Sequence, residues 1–277
     1  MTELFDDVGD CAAAMLRRVG RRIVLALPLG IGKPNHLANE LVRRAVADPA
    51  IDLTIVTALS LQVPQASSDL EQRLVEPLVA RIFGSYPELE YLRLTRDAKL
   101  PPNIRVIDFF LEPGKWLNSP AVQRDYLAAN YTHVARDLAE RDVNVIAQLV
   151  ASRSVAGVVE YSLGSNPDVT LDLLPYVERQ RAAGRAIVVV GAIHAEMPFM
   201  LGAAVVPAAK FDLLLQQPRY DYPLYAPPNP ELSLVDHAIG VHASALVRDG
   251  GTLQIGIGAL GDALCYALLL RHQQNAE

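Results

Sequence analysis

LVRDGGTLQIGIGALGDALCYALLL, residues 246–270, reads as strand, glycine turn and helix in immediate succession. Residues 252–255 supply a short apolar strand. Gly256, Gly258 and Gly261 let the backbone approach a ligand closely, and residues 262–270 read as a helix whose N-terminus faces the turn. A unit of this kind belongs to an α/β sheet. The spacing also fits the GxGxxG dinucleotide fingerprint. That fingerprint requires a second parallel strand after the helix, with an acidic residue about 20 positions on to hold a ribose. No such strand is readable after Gly261, so a nicotinamide or flavin site is not expected.

Working outward, the same alternation recurs. Val8, Cys11, Met15 and Val19 have helical spacing, and residues 22–28 form a continuous apolar strand. Pro34 marks a helix entry, residues 51–57 a second strand and residues 69–83 a second helix. The proline-containing stretch 84–116 is less regular and holds one strand at 104–109. Asn130 or Thr132 caps a helix running to Arg141, and residues 143–150 and 158–163 read as strands. A helix closed by Gly184 precedes an apolar strand at 186–190. Residues 216–230, QQPRYDYPLYAPPNP, form an extended surface loop to which Tyr220, Tyr222 and Tyr225 give apolar area. Ser233 then caps a helix through Val247. The expected architecture is an open, mostly parallel sheet with helices on both faces, read as a single α/β domain over residues 1–277.

Composition narrows the function. The chain has 277 residues, 51% hydrophobic and 20% charged, which suits a buried parallel sheet. A net charge of −6 argues against nucleic acid as a partner. The densest basic cluster, Arg17, Arg18, Arg21 and Arg22, reads as a solvated helix end. Cys11 and Cys265 are too few and too far apart for a disulfide framework or a metal site, so a reducing interior is expected. The start, MTELFDD, has no signal-peptide pattern and no apolar run reaches bilayer-spanning length, so a soluble, cytoplasmic protein without a membrane partner is expected.

Several chemical motifs are incomplete. LGIGKPN imitates the end of a phosphate loop, but Leu27 and Pro34 stand where glycine and Ser or Thr are required. Two readings remain for Gly30, Gly32 and Lys33: amides facing a negative or carbonyl group, or a structural turn. His194, Glu196 and Pro198 match half of a zinc deaminase motif whose PCxxC element is missing. His237 and His242 lie five apart and point in different directions on a helix, so no metal is expected there. His133 is a candidate for polarising a carbonyl. Glu196, just beyond an apolar strand, is the internal candidate for a carboxylate nucleophile.

The wording of three segments adds a family. DGGTLQIGIGALGDAL (residues 249–264), HAEMPFMLG (194–202) and LPLGIGKPNHLANEL (27–41) resemble, in family order, motifs of the acetyl-CoA hydrolase/transferase family. These are the class I coenzyme A transferases that include 4-hydroxybutyrate and succinate:acetate CoA-transferases. Gly261 stands where the family usually has proline, and His194 where it usually has asparagine. The resemblance implies a CoA-transferase-like N-terminal half that uses coenzyme A as co-substrate, with an acyl-CoA, a small carboxylate and the C-terminal half of the same enzyme as partners. It implies that Gly256, Ile257, Gly258, Ala259 and Leu260 contact CoA, and that Gly30, Gly32, Lys33, Met197 and Pro198 line the acyl pocket. In the family a glutamate attacks the thioester and passes through a glutamyl-CoA thioester. That glutamate is expected beyond residue 277, and the cut face of such a half gives reason to expect self-association. The alternative is a non-catalytic domain that binds a CoA ester or a phosphorylated metabolite.

Overall fold

The computed structural model describes residues 2–226 and 231–274. The chain forms two compact units, Met1–Tyr225 and Ala226–Glu277. In the first unit the elements are, in chain order, β1 (Glu3–Phe5), α1 (Val8–Val19), β2 (Arg22–Leu29), α2 (Asn35–Ala47), β3 (Asp52–Ala58), α3 (Asp69–Ile82), α4 (Glu90–Arg96), β4 (Ile104–Asp108), α5 (Pro120–Arg124), α6 (Val134–Ala139), β5 (Val145–Val155), β6 (Val158–Ser162), α7 (Asp168–Ala182), β7 (Val188–Ile193), β8 (Val205–Val206) and β9 (Leu213–Leu215). The second unit holds α8 (Leu234–Ser244) and α9 (Ala259–Gln273).

Seven strands run parallel in the order β1-β9-β7-β5-β2-β3-β4. The far half of β5 leaves this sheet and pairs antiparallel with β6, which pairs in turn with β8. Helices cover both faces, because the central strands are mainly apolar and buried on both sides. In β2, Ile23, Leu25 and Leu27 pack into one core with α1, α2 and α4. Val24 and Ala26 point the other way into a second core with α6 and α7.

Polar side chains set the pairing where the ladder is incomplete. Between β2 and β5 the register begins at Leu25 and Val145, and one step earlier Asn144 accepts from Val24 N–H (2.8 Å) and donates to the Arg22 carbonyl (2.8 Å). Gly191 of β7 lies against Leu214 and Phe211, so close that a Cβ there would meet Leu214 Cδ2 at 2.8 Å. Cys11 is wholly buried, and burial pushes its thiol up to about 12, whereas Cys265 is half-buried. A thiol-disulfide reagent is therefore expected to modify one cysteine of the native protein quickly and the second only on unfolding, read by mass spectrometry. Two fast sites would show that α1 does not pack as described.

In the second unit α8 begins with a reciprocal cap, Ser233 and Asp236 each serving the other's backbone N–H. α8 and α9 cross closely at Gly240, where a Cβ would meet the Ala263 carbonyl oxygen at 2.6 Å. The strand expected at residues 252–255 is not formed. Among its described residues this unit has two helices and no strand, and a lone strand has nothing to receive its backbone hydrogen bonds. The helix expected after it does form, three residues earlier than read, and Gly258 stands before it at φ +135°. Gly261 packs against the Gly256 carbonyl, which leaves no room there for a side chain. Of the extended loop read at 216–230, residues 218–220 form one 3-10 turn and residues 227–230 lie outside the described residues.

Candidate functional site

The parallel sheet directs the C-terminal ends of all seven strands to one edge, where open α/β sheets bind ligands. The chain runs from β2 outward to β3 and β4, then returns to β5 on the other side of β2, so strand order reverses between β2 and β5. Protein fills that reversal point. The loop after β6 folds over it, bringing Asn166 against Gly32, where a Cβ would lie 3.0 Å from Asn166 Cβ. Gln148, buried in β5, holds the loop from beneath by donating to the Leu163 and Asn166 carbonyls, the latter at 2.9 Å. Its Oε1 has no partner among the described residues.

One strand further along, a cavity of about 820 Å³ opens beside β4 at the ends of β2, β3 and β4. Gly30 and Ile31 form one corner, and residues 59–65 after β3 and residues 110–112, 115 and 116 after β4 form two walls. α3 contributes Leu78, Val79 and Ile82. This helix has no buried residue, and its Leu70, Leu74 and Leu78 leave an exposed apolar stripe at i, i+4 spacing. α4 contributes Tyr91 and Leu92. Its start is fixed from α2, where Asn39 accepts from Glu90 N–H (2.7 Å) and donates to the Glu88 carbonyl (2.9 Å).

The cavity is mainly apolar, with a small polar cluster. Tyr91 Oη and Ser60 Oγ are hydrogen-bonded at 2.7 Å. Asp108, at the end of β4, accepts from Phe110 N–H through Oδ1 (2.9 Å), and its Oδ2 has no hydrogen-bond partner among the described residues. Burial pushes this carboxyl up to about 6, against the opposing pull of the Phe110 amide and Lys33. The lining cations are occupied: Arg96 pairs with Glu88 (3.1 Å), Arg105 with Asp125 (2.6 Å) and Lys115 with Glu112 (2.7 Å). Asp108 is thus the lining carboxylate whose charge is not met by a contact ion pair.

Lys33 lies behind the cavity wall. Its ammonium donates to the carbonyls of Ala58 (2.6 Å), Gly30 (3.3 Å) and Leu59 (3.3 Å). Three acceptors use all three of its protons, so the lysine ties the Gly30 turn to the end of β3. Burial brings it down to about 7 despite the nearby Asp108. Leu59, whose carbonyl it holds, sits at φ +48°, a left-handed conformation that bulky residues avoid.

The residues singled out from sequence therefore separate. Gly30 lines the cavity, and Gly32 and Lys33 adjoin it as buried parts of the same turn. Met197 is buried against Gly164 and Ser165, on the loop that also covers Gly32. Pro198 and Glu196 are exposed, and neither lines the cavity. His194 is buried, with its ring nitrogens facing Glu196 N–H and Tyr222 N–H at 3.2 Å each. A neutral imidazole accepts one of the two and a charged imidazole neither, and burial holds His194 below its usual pKa against the pull of Asp221 and Glu196. Tyr222 links this turn to the first, since its hydroxyl donates to the Lys33 carbonyl at 3.4 Å. His133 is exposed in a 3-10 turn before α6. In the second unit Gly256, Ile257, Gly258 and Leu260 are exposed and Ala259 half-buried around the start of α9. Among the described residues no group of acidic, His or Cys side chains is arranged to hold a metal, and no helix is long and apolar enough to cross a membrane.

The open parallel sheet and its reversal point make a CoA-transferase-like α/β fold, with an apolar cavity at its C-terminal edge. In sequence, 94 residues are 34% identical to the 4-hydroxybutyrate coenzyme A transferase of Clostridium kluyveri, covering 34% of this chain and 21% of that protein. In structure, the chain is similar to RipA from Yersinia pestis (TM-score 0.57, 19% identity, 96% of this chain and 53% of that one). It is also similar to a 4-hydroxybutyrate CoA-transferase from Porphyromonas gingivalis (TM-score 0.52, 18% identity, 96% and 51%). The chain thus spans about half the length of the solved relatives it matches. No family model matches.

Proposed function

We propose that this chain is the acyl-CoA-holding part of a CoA-transferase or acyl-CoA hydrolase. The observation that carries the reading is the 820 Å³ apolar cavity at the Gly30 turn, in a chain with a 94-residue match to a 4-hydroxybutyrate CoA transferase. A cavity of that volume is in the range that encloses drug-sized ligands, so it favours an acyl group longer than acetyl. In this reading Gly30, Gly32 and Lys33 shape the acyl pocket, with Met197 and Pro198 on the adjoining turn. Residues 256–260 offer CoA the free backbone N–H groups that begin α9.

The chemistry proposed for the whole enzyme is carboxylate nucleophilic catalysis. A glutamate carried on sequence beyond residue 277 attacks the thioester carbonyl and expels CoA thiolate, forming a mixed anhydride. The thiolate then attacks the glutamyl carbonyl, releasing the first carboxylate and leaving a glutamyl-CoA thioester. A second carboxylate or water resolves that thioester. Glu196 remains the internal candidate for this role.

Calorimetric titration with CoA, acetyl-CoA and butyryl-CoA, alongside thioester cleavage assays, tests the reading. Binding of butyryl-CoA above acetyl-CoA is expected, together with loss of CoA affinity in Gly258→Trp. A Cβ at Gly258 meets nothing within 4 Å, so the substitution alters the turn rather than the packing. Absence of CoA binding to the unaltered chain would remove the proposal. Turnover by this chain would place the nucleophile within it and make Glu196→Gln the next variant.

A further inference from the structure

We propose that residues 59–82 are a flap that closes over the tail of a medium- or long-chain fatty acyl group, with Leu70 and Leu74 as the residues that read its length. The inference rests on reading the cavity as an acyl pocket and names the class of acyl group it takes.

The flap is anchored at its two ends. At its start Leu59 bends the chain at φ +48°, and its carbonyl accepts from the buried Lys33 at 3.3 Å. Just past its end Phe83 is buried and stacks on Tyr225 with ring centroids 5.6 Å apart, and Gly84 turns the chain at φ +52°. None of the 24 residues from Leu59 to Ile82 (82 − 59 + 1) is buried, so the flap packs on the protein far less than the elements around it. Its two end portions, residues 59–65 and the Leu78, Val79 and Ile82 turn of α3, line the cavity.

The first two turns of α3 stand beyond that rim. Exposure falls along the stripe toward the cavity, from 78% at Leu70 and 75% at Leu74 to 45% at Leu78, and Leu78 belongs to stripe and cavity alike. One apolar surface thus continues out of the pocket for about 12 Å, the rise of eight helical residues. The opposite side of the helix is polar, with Gln72 and Glu76 hydrogen-bonded to each other. Pro77 cannot donate to the Arg73 carbonyl, which loosens α3 between its cavity-lining end and the Leu70 and Leu74 turns. A short acyl group ends inside the cavity and leaves the stripe wet, whereas a longer tail passes Leu78 and gives Leu74 and Leu70 something apolar to close on.

The test uses Trp116, which lines the cavity and is the chain's single tryptophan. Its fluorescence is followed while the chain is titrated with N-acetylcysteamine thioesters of butyrate, octanoate and dodecanoate, each below its micelle concentration. These probes lack the CoA nucleotide, so they report on the cavity and flap alone. Each methylene removed from water contributes about fourfold in affinity, so dodecanoyl is expected to bind at least about a hundredfold more tightly than butyryl. Leu70→Ser with Leu74→Ser is expected to cut that preference by about tenfold or more, and each single change by less. Both positions are exposed, and native circular dichroism checks the fold of each variant. Trypsin cleavage after Arg73, exposed on the flap, is expected to slow when dodecanoyl saturates the pocket and to change little with butyryl. Equal affinities for butyryl and dodecanoyl, or a preference unchanged in the variants, would overturn the flap and leave the acyl pocket standing. Variants that alter the sedimentation mass but not the preference would assign Leu70 and Leu74 to a protein interface, which also overturns it. If no probe binds, the acyl pocket itself is overturned, and the flap falls with it.

Discussion

Asp108→Asn is expected to stabilise the protein at pH 7 by at most about 3 kcal/mol, the equivalent of moving a carboxyl from its ordinary 3.8 to about 6. The raised value means that the folded state binds this proton more tightly than the unfolded chain. The penalty is therefore absent below 3.8, grows between 3.8 and 6, and is complete above 6. Because the value of about 6 already contains the attraction of Lys33, removing the charge yields the net gain and not burial alone. Asparagine keeps an oxygen for Phe110 N–H, so that hydrogen bond need not be lost. Urea denaturation of both proteins at pH 7 and pH 4 checks the claim. The variant should lead at pH 7 and the gap should close at pH 4. A variant less stable at pH 7 would mean that Asp108 is held by contacts stronger than those described.

Gly164→Ala is expected to lower stability by about 2–5 kcal/mol, from a left-handed backbone costing about 1–2 and overpacking costing about 1–3. Gly164 sits at φ +66°, and a Cβ on it would lie 2.6 Å from Met197 Cγ. The two contributions can be separated. Pairing the substitution with Met197→Ala should recover the packing part and leave the backbone part, giving a favourable coupling in a double-mutant cycle. Additive losses would show that Met197 does not occupy the space beside Gly164. The effect should reach the site, because the same loop carries Asn166 onto Gly32.

The legible parts of this chain were those written in local periodicity. β2, β3 and β4 and helices α1 and α3 stand within one or two residues of their sequence reading, since each is a continuous apolar run or a helical stripe with its own ends. β1, β8 and β9 have two or three residues each, too few to show any period, and exist because strands elsewhere in the chain complete their ladders. The strand read at residues 252–255 fails for the complementary reason: its pattern is right, but its unit contains no sheet among the described residues. At the site the glycine turn at Gly30 was readable as a special backbone. Asp108 was not, because an aspartate at the end of a strand looks like any other until folding places it beside Lys33 and an apolar wall. Tyr222 was read as loop apolar area, and the structure makes it the bridge between two turns that the sequence treated separately.

The placement of β1 at the edge of the sheet has a consequence for how the chain is made. Its three residues pair with Leu213, Leu214 and Leu215, 210 positions later in each case (213 − 3). At 5–20 residues per second, a ribosome takes roughly 10–40 s to deliver that partner after the first strand has been synthesised. Helix α1 and strands β2 to β4 can associate locally in the meantime, while the N-terminal segment waits. A tag or fusion at the N-terminus would act on the last strand to dock, so it should slow completion of the sheet more than one attached elsewhere on the surface.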